Sequence, residues 1–151
     1  MSAPTSITVT SPEFSDGAPI PKRFTCDGAN VSPPLHWSGV SAGAAALALV
    51  VDDPDAPSGT FTHWVVVNID PSTTAVEEGT APAGGQQAPN SAGKSSWFGP
   101  CPPSGTHHYR FTVYALSRRV AESATGSRDA ALSAIEAAVT AQGRLVGTYH
   151  R

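Results

Sequence analysis

The segment Gly99–Tyr114, with the sequence GPCPPSGTHHYRFTVY, constrains the fold of this chain more than any other. Its three prolines fix φ and lack a backbone N–H, so its first half cannot form a central β-strand. From Thr106 onward, β-branched and aromatic residues predict a strand. Residues two apart on a strand share a face, so we expect His107 and Tyr109 to point together and His108 to point the opposite way. The segment therefore predicts a polar site where a stiff loop meets a strand.

Other segments predict a mainly β chain with many turns. Patterns typical of strands cover Ile7–Thr10, Ala44–Val51, Phe61–Ile69 and Tyr109–Leu116. Weaker patterns predict short strands at Lys22–Thr25, Leu35–Trp37 and Arg144–Tyr149. The second of these follows two prolines, which favours the edge of a sheet. Ala44–Val51 is apolar throughout, as in a strand buried on both faces, with a helix as the alternative for its alanine-rich start.

One helix is predicted, over Ser127–Gly143. Apolar residues recur there at helical spacing, Ser127 suits the N-cap, and Gly143 suits the position after the last turn. Several strands followed by one late helix are typical of an antiparallel β-rich fold with an appended helix, rather than of alternating βαβ units.

Composition and charge exclude several classes of protein. A length of 151 residues suits one domain, covering residues 1–151. The net charge of −3 and the absence of a Lys/Arg run exclude a surface that neutralises nucleic-acid phosphates. The N-terminus lacks the basic and apolar regions of a signal peptide, and no apolar run is long enough to span a membrane. We therefore expect a cytoplasmic protein with no nucleic-acid partner and no stable membrane insertion.

The two cysteines, Cys26 and Cys101, both lie in loops that contain glycine and proline. Disulfides are rare in the cytoplasm, so we expect two reduced thiols. A disulfide between the two loops is the alternative, and the sequence leaves it open.

Two further patterns are interpreted as structural. Gly39–Gly43 matches the G-x-S-x-G nucleophile elbow, but that motif needs a strand before the serine and a helix after it, so a turn fits better here. The five histidines show no helical metal-site spacing, and a site from His63, His107 and Asp53 would depend on the fold. We expect neither a metal nor another cofactor.

The segment Asp52–Ser58, DDPDAPS, follows a predicted buried strand and leads to His63. Its prolines stiffen it, and a stiff loop at a strand end is a common scaffold for a site. Alternation predicts that His63 shares a face with Val65, Val67 and Ile69. A carboxylate beside an imidazole orients the ring and favours its protonated form, so such a pair could hold an anion. The alternative is a turn with solvated acids, followed by a core histidine.

Three motifs, taken together and in order, resemble the phosphatidylethanolamine-binding protein (PEBP) family, in its bacterial Raf kinase inhibitor-like branch. They are DPDAPS at Asp53–Ser58, HWVVVN at His63–Asn68 and GPCPPSGTHHY at Gly99–Tyr109. Secondary matches are FTCDG, NVSPPL and the terminal LVGTY. The resemblance spans nearly the whole chain, although Gln86–Trp97 is rich in serine and alanine where related chains often carry Asp and aromatic residues.

The resemblance implies a large antiparallel sheet packed on a smaller one, with a peripheral C-terminal helix. It implies a surface pocket for phosphate and phosphorylated head groups, and a homodimer. Carried over by position, the ligand-binding residues are Asp53, Asp55, His63, Pro103, His107 and Tyr109.

The leading hypothesis is a binding protein for a small anion, which would be phosphate, a phosphorylated amine or a carboxylate. His63 and His107 would donate N–H groups and Tyr109 an O–H group. Asp53 would orient a histidine, while Asp55 would accept from a head-group amine or from the loop backbone. Proline at the rim would lose little entropy on binding.

Two other hypotheses stand beside it. The first is a cofactor-independent enzyme, such as a cyclase or isomerase, which would use Asp53, His63, His107 and Tyr109 as general acids and bases. The second is a regulatory inhibitor of a kinase or protease, which the family name suggests. No recognition motif in the sequence identifies a protein partner for it.

Overall fold

Residues 3–151, the part of the chain that the computed structural model describes, form two antiparallel sheets with one α-helix. The strands are β1 (Thr8–Thr10), β2 (Leu35–Ser38), β3 (Ala46–Asp53), β4 (Phe61–Ile69), β5 (Ala75–Val76), β6 (Gln86–Ala88), β7 (Thr106–Leu116) and β8 (Val139–His150). The helix α1 spans Arg128–Ala138, and 3-10 turns cover Lys22–Phe24 and Glu122–Ala124. The predicted mainly β fold with a C-terminal helix is confirmed.

The large sheet has the strand order β6-β4-β3-β7-β8, and the small sheet has the order β1-β2-β5. One hydrophobic core joins residues of both sheets, and a second lies between the large sheet and α1. In β3, Leu49 and Val51 face the first core while Val50 faces the second. The apolar run is therefore a strand buried on both faces, as its composition predicts.

The helix begins where the sequence predicts and ends earlier. The Ser127 hydroxyl accepts a hydrogen bond from the backbone N–H of Ala130 at 3.3 Å, which makes Ser127 the N-cap. The helix stops at Ala138 because the following β-branched residues enter β8 with extended backbone. Gly143 lies within β8, where a Cβ would overlap the backbone carbonyl of Ile7. The predicted helical extension to Gly143 is wrong, and close strand packing explains this glycine.

Strand β4 has the predicted ends but not the predicted faces. Val51 on β3 pairs with Trp64 and the next residue, Asp52, pairs with Thr62, so His63 is an extra residue in a β-bulge. The bulge turns His63 toward Tyr109, with ring centroids 5.2 Å apart, on the face that carries Trp64. The prediction that His63 shares the face of the valines at 65 and 67 is wrong, since those residues pack toward α1.

A second irregularity in β4 changes the direction of Ile69. Asn68 has a left-handed φ of 57°, and Leu47 pairs with Ile69 while Leu49 pairs with Val66. Ile69 therefore joins Val66 in the core between the sheets. Strict alternation would have placed it toward the helix.

Three smaller predictions are also settled. Lys22–Phe24 is a 3-10 turn rather than a strand. Leu35–Ser38 is the middle strand of the small sheet rather than an edge. Ser41, in the G-x-S-x-G match, is exposed in a turn, which agrees with the structural interpretation.

Cys26 and Cys101 form a disulfide that joins two loops 75 residues apart, with a Cα–Cα distance of 5.4 Å. The expectation of reduced thiols is therefore wrong. That expectation depended on an assumed cytoplasmic location. The disulfide forms because the two loops lie side by side, as shown by the hydrogen bond that the Cys26 backbone N–H donates to the Pro100 carbonyl at 3.1 Å.

Within residues 3–151, no helix has the length and apolar character needed to cross a membrane.

Candidate functional site

A cavity of about 130 Å³ opens at one end of the large sheet, where β3 ends and where β4 and β7 begin. Its lining combines buried polar side chains with apolar and proline residues. The lining residues are Asp53, Ala56, Pro57, Phe61, His63, Phe98, Cys101, Pro102, Pro103, His107 and Tyr109. The fold thus brings together five of the six residues predicted from the sequence.

Asp53 and His107 form a buried pair at the floor of this cavity. The Nδ1 atom of His107 lies 2.6 Å from Oδ2 of Asp53. The other carboxylate oxygen of Asp53 accepts from the backbone N–H of Asp55 at 2.8 Å. The two residues are 3% and 7% exposed, so water neither screens the interaction between them nor competes for it. An ionised carboxylate only accepts hydrogen bonds, so Nδ1 of His107 carries the hydrogen and Nε2 is left for the cavity.

His63 is oriented by a backbone carbonyl instead of a carboxylate. Its Nδ1 atom lies 2.5 Å from the Phe98 carbonyl oxygen, and the Phe98 N–H donates back to the His63 carbonyl at 3.2 Å. A carbonyl only accepts, so Nδ1 of His63 also carries the hydrogen. Burial lowers the pKa of His63, against smaller opposing effects of the Phe98 hydrogen bond and the charge of Asp53. At neutral pH this ring is uncharged.

Tyr109 lies against both imidazoles. Its ring centroid is 5.2 Å from that of His63 and 6.4 Å from that of His107. Burial, together with the negative charge of Asp53, raises the pKa of the Tyr109 hydroxyl far above its usual range. The hydroxyl therefore stays protonated and can donate a hydrogen bond at any physiological pH.

These fixed tautomers correct one part of the predicted mechanism. Both histidines use an N–H group to hold their own orientation, so neither neutral ring has a second N–H for a ligand. The two Nε2 atoms are lone-pair acceptors when the rings are neutral and become donors only when protonated. The site can therefore accept a proton together with an anion, or accept a hydrogen bond from an acidic ligand.

Asp55 does not line the cavity. Its carboxylate accepts from Nδ1 and from the backbone N–H of His108, both at 2.8 Å, and these bonds lower the pKa of Asp55. The Asp55–His108 pair is largely exposed, with side chains 41% and 54% accessible. Asp55 therefore accepts from the backbone of strand β7, outside the cavity, whereas its predicted partners were a head-group amine or the loop backbone.

The proline loop forms one wall of the cavity through Pro102, Pro103 and Cys101. Its backbone passes so close to the loop containing Cys26 that a Cβ on Gly99 would overlap the Asn30 side-chain oxygen. The disulfide and this close approach hold the wall in place.

Sequence reasoning missed most of the apolar wall, above all Phe61 and Phe98. Their ring centroids are 5.4 Å apart, and Phe98 is 37% exposed at the mouth. The signal available in the sequence was an aromatic residue, Phe98, directly before the proline loop. In residues 3–151, no group of three or more His, Cys, Asp and Glu side chains is placed to hold a metal ion.

The model of the phosphatidylethanolamine-binding protein family matches residues 10–150. A Mycobacterium tuberculosis protein named "Putative lipoprotein LppC" is 54% identical over 147 residues, which cover 95% of this chain and 72% of that protein. A Methanothermobacter thermautotrophicus protein named "UPF0098 protein" is 46% identical over 143 residues, covering 91% and 95%. The crystal structure of Escherichia coli YbcL, described as a new member of the mammalian PEBP family, matches with a TM-score of 0.89 and 31% identity, covering 97% of this chain and 99% of that one.

Proposed function

This chain belongs to the phosphatidylethanolamine-binding protein family, in its bacterial YbcL-type branch, and we propose that its cavity binds a small phosphate-like or carboxylate anion. The observation that carries the proposal is the convergence of two imidazoles, each fixed by a hydrogen bond at Nδ1, with a tyrosine whose ring packs against them. Such preorganisation reduces the entropy lost on binding.

Binding of the anion is coupled to a proton. Unprotonated Nε2 atoms repel an anionic oxygen. The anion therefore binds either when one imidazole is protonated or when the anion is itself protonated and donates an O–H group. The carboxylate of Asp53 lies 2.6 Å from His107 Nδ1 and faces the positive charge that this ring would then carry. We assign the proton to His107, because its Nδ1 faces the carboxylate of Asp53, whereas Nδ1 of His63 faces the neutral carbonyl of Phe98.

Isothermal titration calorimetry with inorganic phosphate and with sulfate, at pH 6 and pH 8, tests this proposal. Sulfate stays a dianion across this range, so any pH dependence of its affinity comes from the protein. We expect sulfate to bind about 10- to 100-fold more tightly at pH 6, the upper value corresponding to one proton taken up per anion. Repeating the titration in buffers of different ionisation enthalpy measures that proton directly.

Tyr109→Phe and His107→Asn are the test variants, and His108→Asn is the matched control on the opposite face of β7. Each hydrogen bond to a charged ligand contributes about 1.5–3 kcal/mol, so either test variant should lose roughly tenfold or more in affinity. Absence of anion binding by the intact protein, or equal losses in the control, would refute the proposal.

A second candidate function, general base catalysis, is favoured by the neutral state of His63. Its Nδ1 is held by the Phe98 carbonyl, which leaves the Nε2 lone pair free, and its ring centroid lies 5.2 Å from that of the protonated Tyr109, so a base is next to an acid. Ring opening of 5-nitrobenzisoxazole, which needs only removal of a carbon-bound proton, is a suitable probe. Acceleration that disappears in His63→Gln would support catalysis, and a rate no higher than with free imidazole would count against it.

The cytoplasmic location stays a prediction, and two observations weigh against it. The Cys26–Cys101 disulfide is typical of oxidising compartments, and one close relative carries a lipoprotein name. Trapping thiols during cell lysis, followed by mass spectrometry, would show the state of the two cysteines. The homodimer and a kinase or protease partner likewise stay predictions.

A further inference from the structure

A second groove lies on the face of the large sheet opposite the candidate functional site. Helix α1 packs on β3 and β4 of this face, while Tyr114 on β7 and both Gln142 and Arg144 on β8 reach solvent beside it. Between the helix and these strands is a groove of about 290 Å³, lined by Ala3, Val50, Tyr114, Leu132, Ile135, Glu136, Val139 and Gln142. Most of this lining is apolar, and the function proposed above makes no use of it.

Arg144 lies beside this groove and is held toward it. The register places Val50, Thr112 and Arg144 in one row across β3, β7 and β8. The Nε–H of Arg144 donates to the hydroxyl of Thr112 at 3.0 Å, and Thr112 is 3% exposed. Because Thr112 is the direct neighbour of Val50 in this row, the bond lays the Arg144 side chain across β7 and brings its guanidinium close to the groove.

The guanidinium of Arg144 has no acidic partner within residues 3–151. Four other arginines of this part of the chain form ion pairs with carboxylates, namely Arg23, Arg110, Arg128 and Arg151. Arg144 instead bonds to a neutral hydroxyl through Nε, which leaves its two terminal nitrogens to donate elsewhere. A guanidinium presents its N–H groups in a planar fork that matches the two oxygens of a carboxylate. Arg144 is therefore a positioned cation with donors left for an anionic ligand.

We propose that this groove binds a monocarboxylate with a compact apolar body, and that the carboxylate pairs with Arg144. The apolar body packs on Leu132, Ile135 and Val139, where its burial removes hydrocarbon surface from water. Glu136 lines the same groove and disfavours a second anionic group on the ligand.

The size of the groove sets the size of this ligand. A volume of about 290 Å³ equals the share of about ten liquid water molecules, which suits a ligand of roughly ten non-hydrogen atoms. Octanoate is a carboxylate of this size. The groove and the candidate functional site open on opposite faces of the sheet, so binding at one does not require binding at the other.

A comparison of octanoate with octanamide tests the groove. The two molecules have the same length and shape and differ in a carboxylate against a neutral amide. Each is titrated below its micelle-forming concentration, with inorganic phosphate present to compete for the candidate functional site, and proton–nitrogen NMR follows the backbone amides. Octanoate should shift the amides of Leu132, Val139 and Gln142, with a dissociation constant on the order of 1 mM. Octanamide should bind about tenfold more weakly or worse, because it forms no charge-assisted hydrogen bond.

Variants of Arg144 test the origin of the preference. Arg144→Gln should lower the affinity for octanoate about tenfold or more and leave that for octanamide unchanged. Leu132→Ala should weaken both ligands alike, because it removes apolar contact and no charge. Arg118→Gln is the matched control, since Arg118 is also exposed but lies in the turn after β7, outside the groove. It should bind octanoate as the unmodified protein does.

Several outcomes would overturn this proposal and leave anion binding at the candidate functional site intact. They are failure of octanoate to bind, equal affinities for octanoate and octanamide, and octanoate binding that survives Arg144→Gln. Shifts confined to residues around Tyr109 and reversed by phosphate would place octanoate in the candidate functional site instead. A dimer that Arg144→Gln converts to a monomer, measured by light scattering, would show that a second copy of the chain occupies the groove, and would also overturn the proposal.

Discussion

Two Asp–His pairs stand next to each other in the sequence and on opposite faces of the same sheet end. Asp53 with His107 is buried, with side chains 4% and 9% accessible, while Asp55 with His108 is exposed. In each pair the histidine Nδ1 lies within 2.8 Å of a carboxylate oxygen. The two pairs therefore have the same chemistry in different surroundings.

The difference shows that position, and not residue type, separates a site from a surface contact. Alternation along β7 turns His107 inward and His108 outward. An exposed ion pair contributes little because water screens it, whereas a buried carboxylate depends on its partners. The buried pair also borders a cavity, with a histidine nitrogen left for a ligand.

Removing the disulfide should have the largest effect of the changes predicted here. It should affect the cavity that the buried Asp53–His107 pair borders, and not the exposed Asp55–His108 pair. A cross-link between residues 75 apart stabilises the folded chain by about 4 kcal/mol through the unfolded state. The Cys26→Ser/Cys101→Ser double variant should unfold at correspondingly lower urea concentration and bind phosphate more weakly, because Cys101 lines the cavity. The NMR titration of His108 should stay the same. Unchanged stability and affinity would show that the wall does not need the cross-link.

The second largest effect should be a difference in unfolding free energy between variants of the two carboxylates, Asp53 and Asp55. Asp53→Ala leaves the Nδ1–H of the buried His107 without an acceptor and should cost about 1–3 kcal/mol of unfolding free energy. Asp55→Ala should cost at most about 1 kcal/mol, since its pair is exposed. Urea denaturation followed by tryptophan fluorescence measures both. Equal costs would break the distinction between the pairs.

The two histidines should differ in ligand affinity. His107→Asn removes a hydrogen bond to a bound anion and should weaken phosphate binding by roughly tenfold or more. His108→Asn should change it less than about twofold, as expected of a surface residue outside the site. Calorimetry with inorganic phosphate provides the comparison, and similar losses in the two variants would place the anion elsewhere.

The third histidine of this region, His63, extends the comparison to pH. Burial lowers its pKa in the folded protein, so below the unfolded pKa of about 6.5 the unfolded state binds more protons. The stability that neutral His63 contributes to the folded protein is therefore lost as the pH falls from about 6.5, the unfolded pKa, toward the lower folded pKa. His63→Gln, which cannot titrate, should lose less stability than the unmodified protein between pH 7 and pH 5. Parallel curves for the two proteins would contradict a burial-lowered pKa.

The sequence predicted the elements that depend on local pattern. β4 has the predicted ends at Phe61 and Ile69, and Ser127 is the N-cap of the helix. The family motifs predicted the fold, which the matching family and structures confirm. The position of Asp53 and His107 in one cavity agrees with the residues those motifs indicated.

The predictions that were wrong concern features that depend on contacts between segments distant in the sequence. The direction of His63 is set by a bulge opposite Val51, and a bulge adds one residue without a local signal. The outward turn of Asp55 depends on His108, a residue 53 positions away. Helix α1 ends where β8 pairs with β7, so tertiary pairing decided against a helical continuation.

Nitrogen NMR of the imidazole rings tests the central claim most directly. The protein has five histidines, of which His63 and His107 border the cavity, so the other three serve as internal controls. Without ligand, both cavity rings should show hydrogen on Nδ1, and His63, whose pKa burial lowers, should also show a free lone pair on Nε2. Addition of phosphate should shift the Nε2 resonances of His63 and His107, with Nε2 of His107 protonated, and leave His36, His108 and His150 unchanged. Unaltered cavity histidines, or a larger shift at His108, would contradict the account.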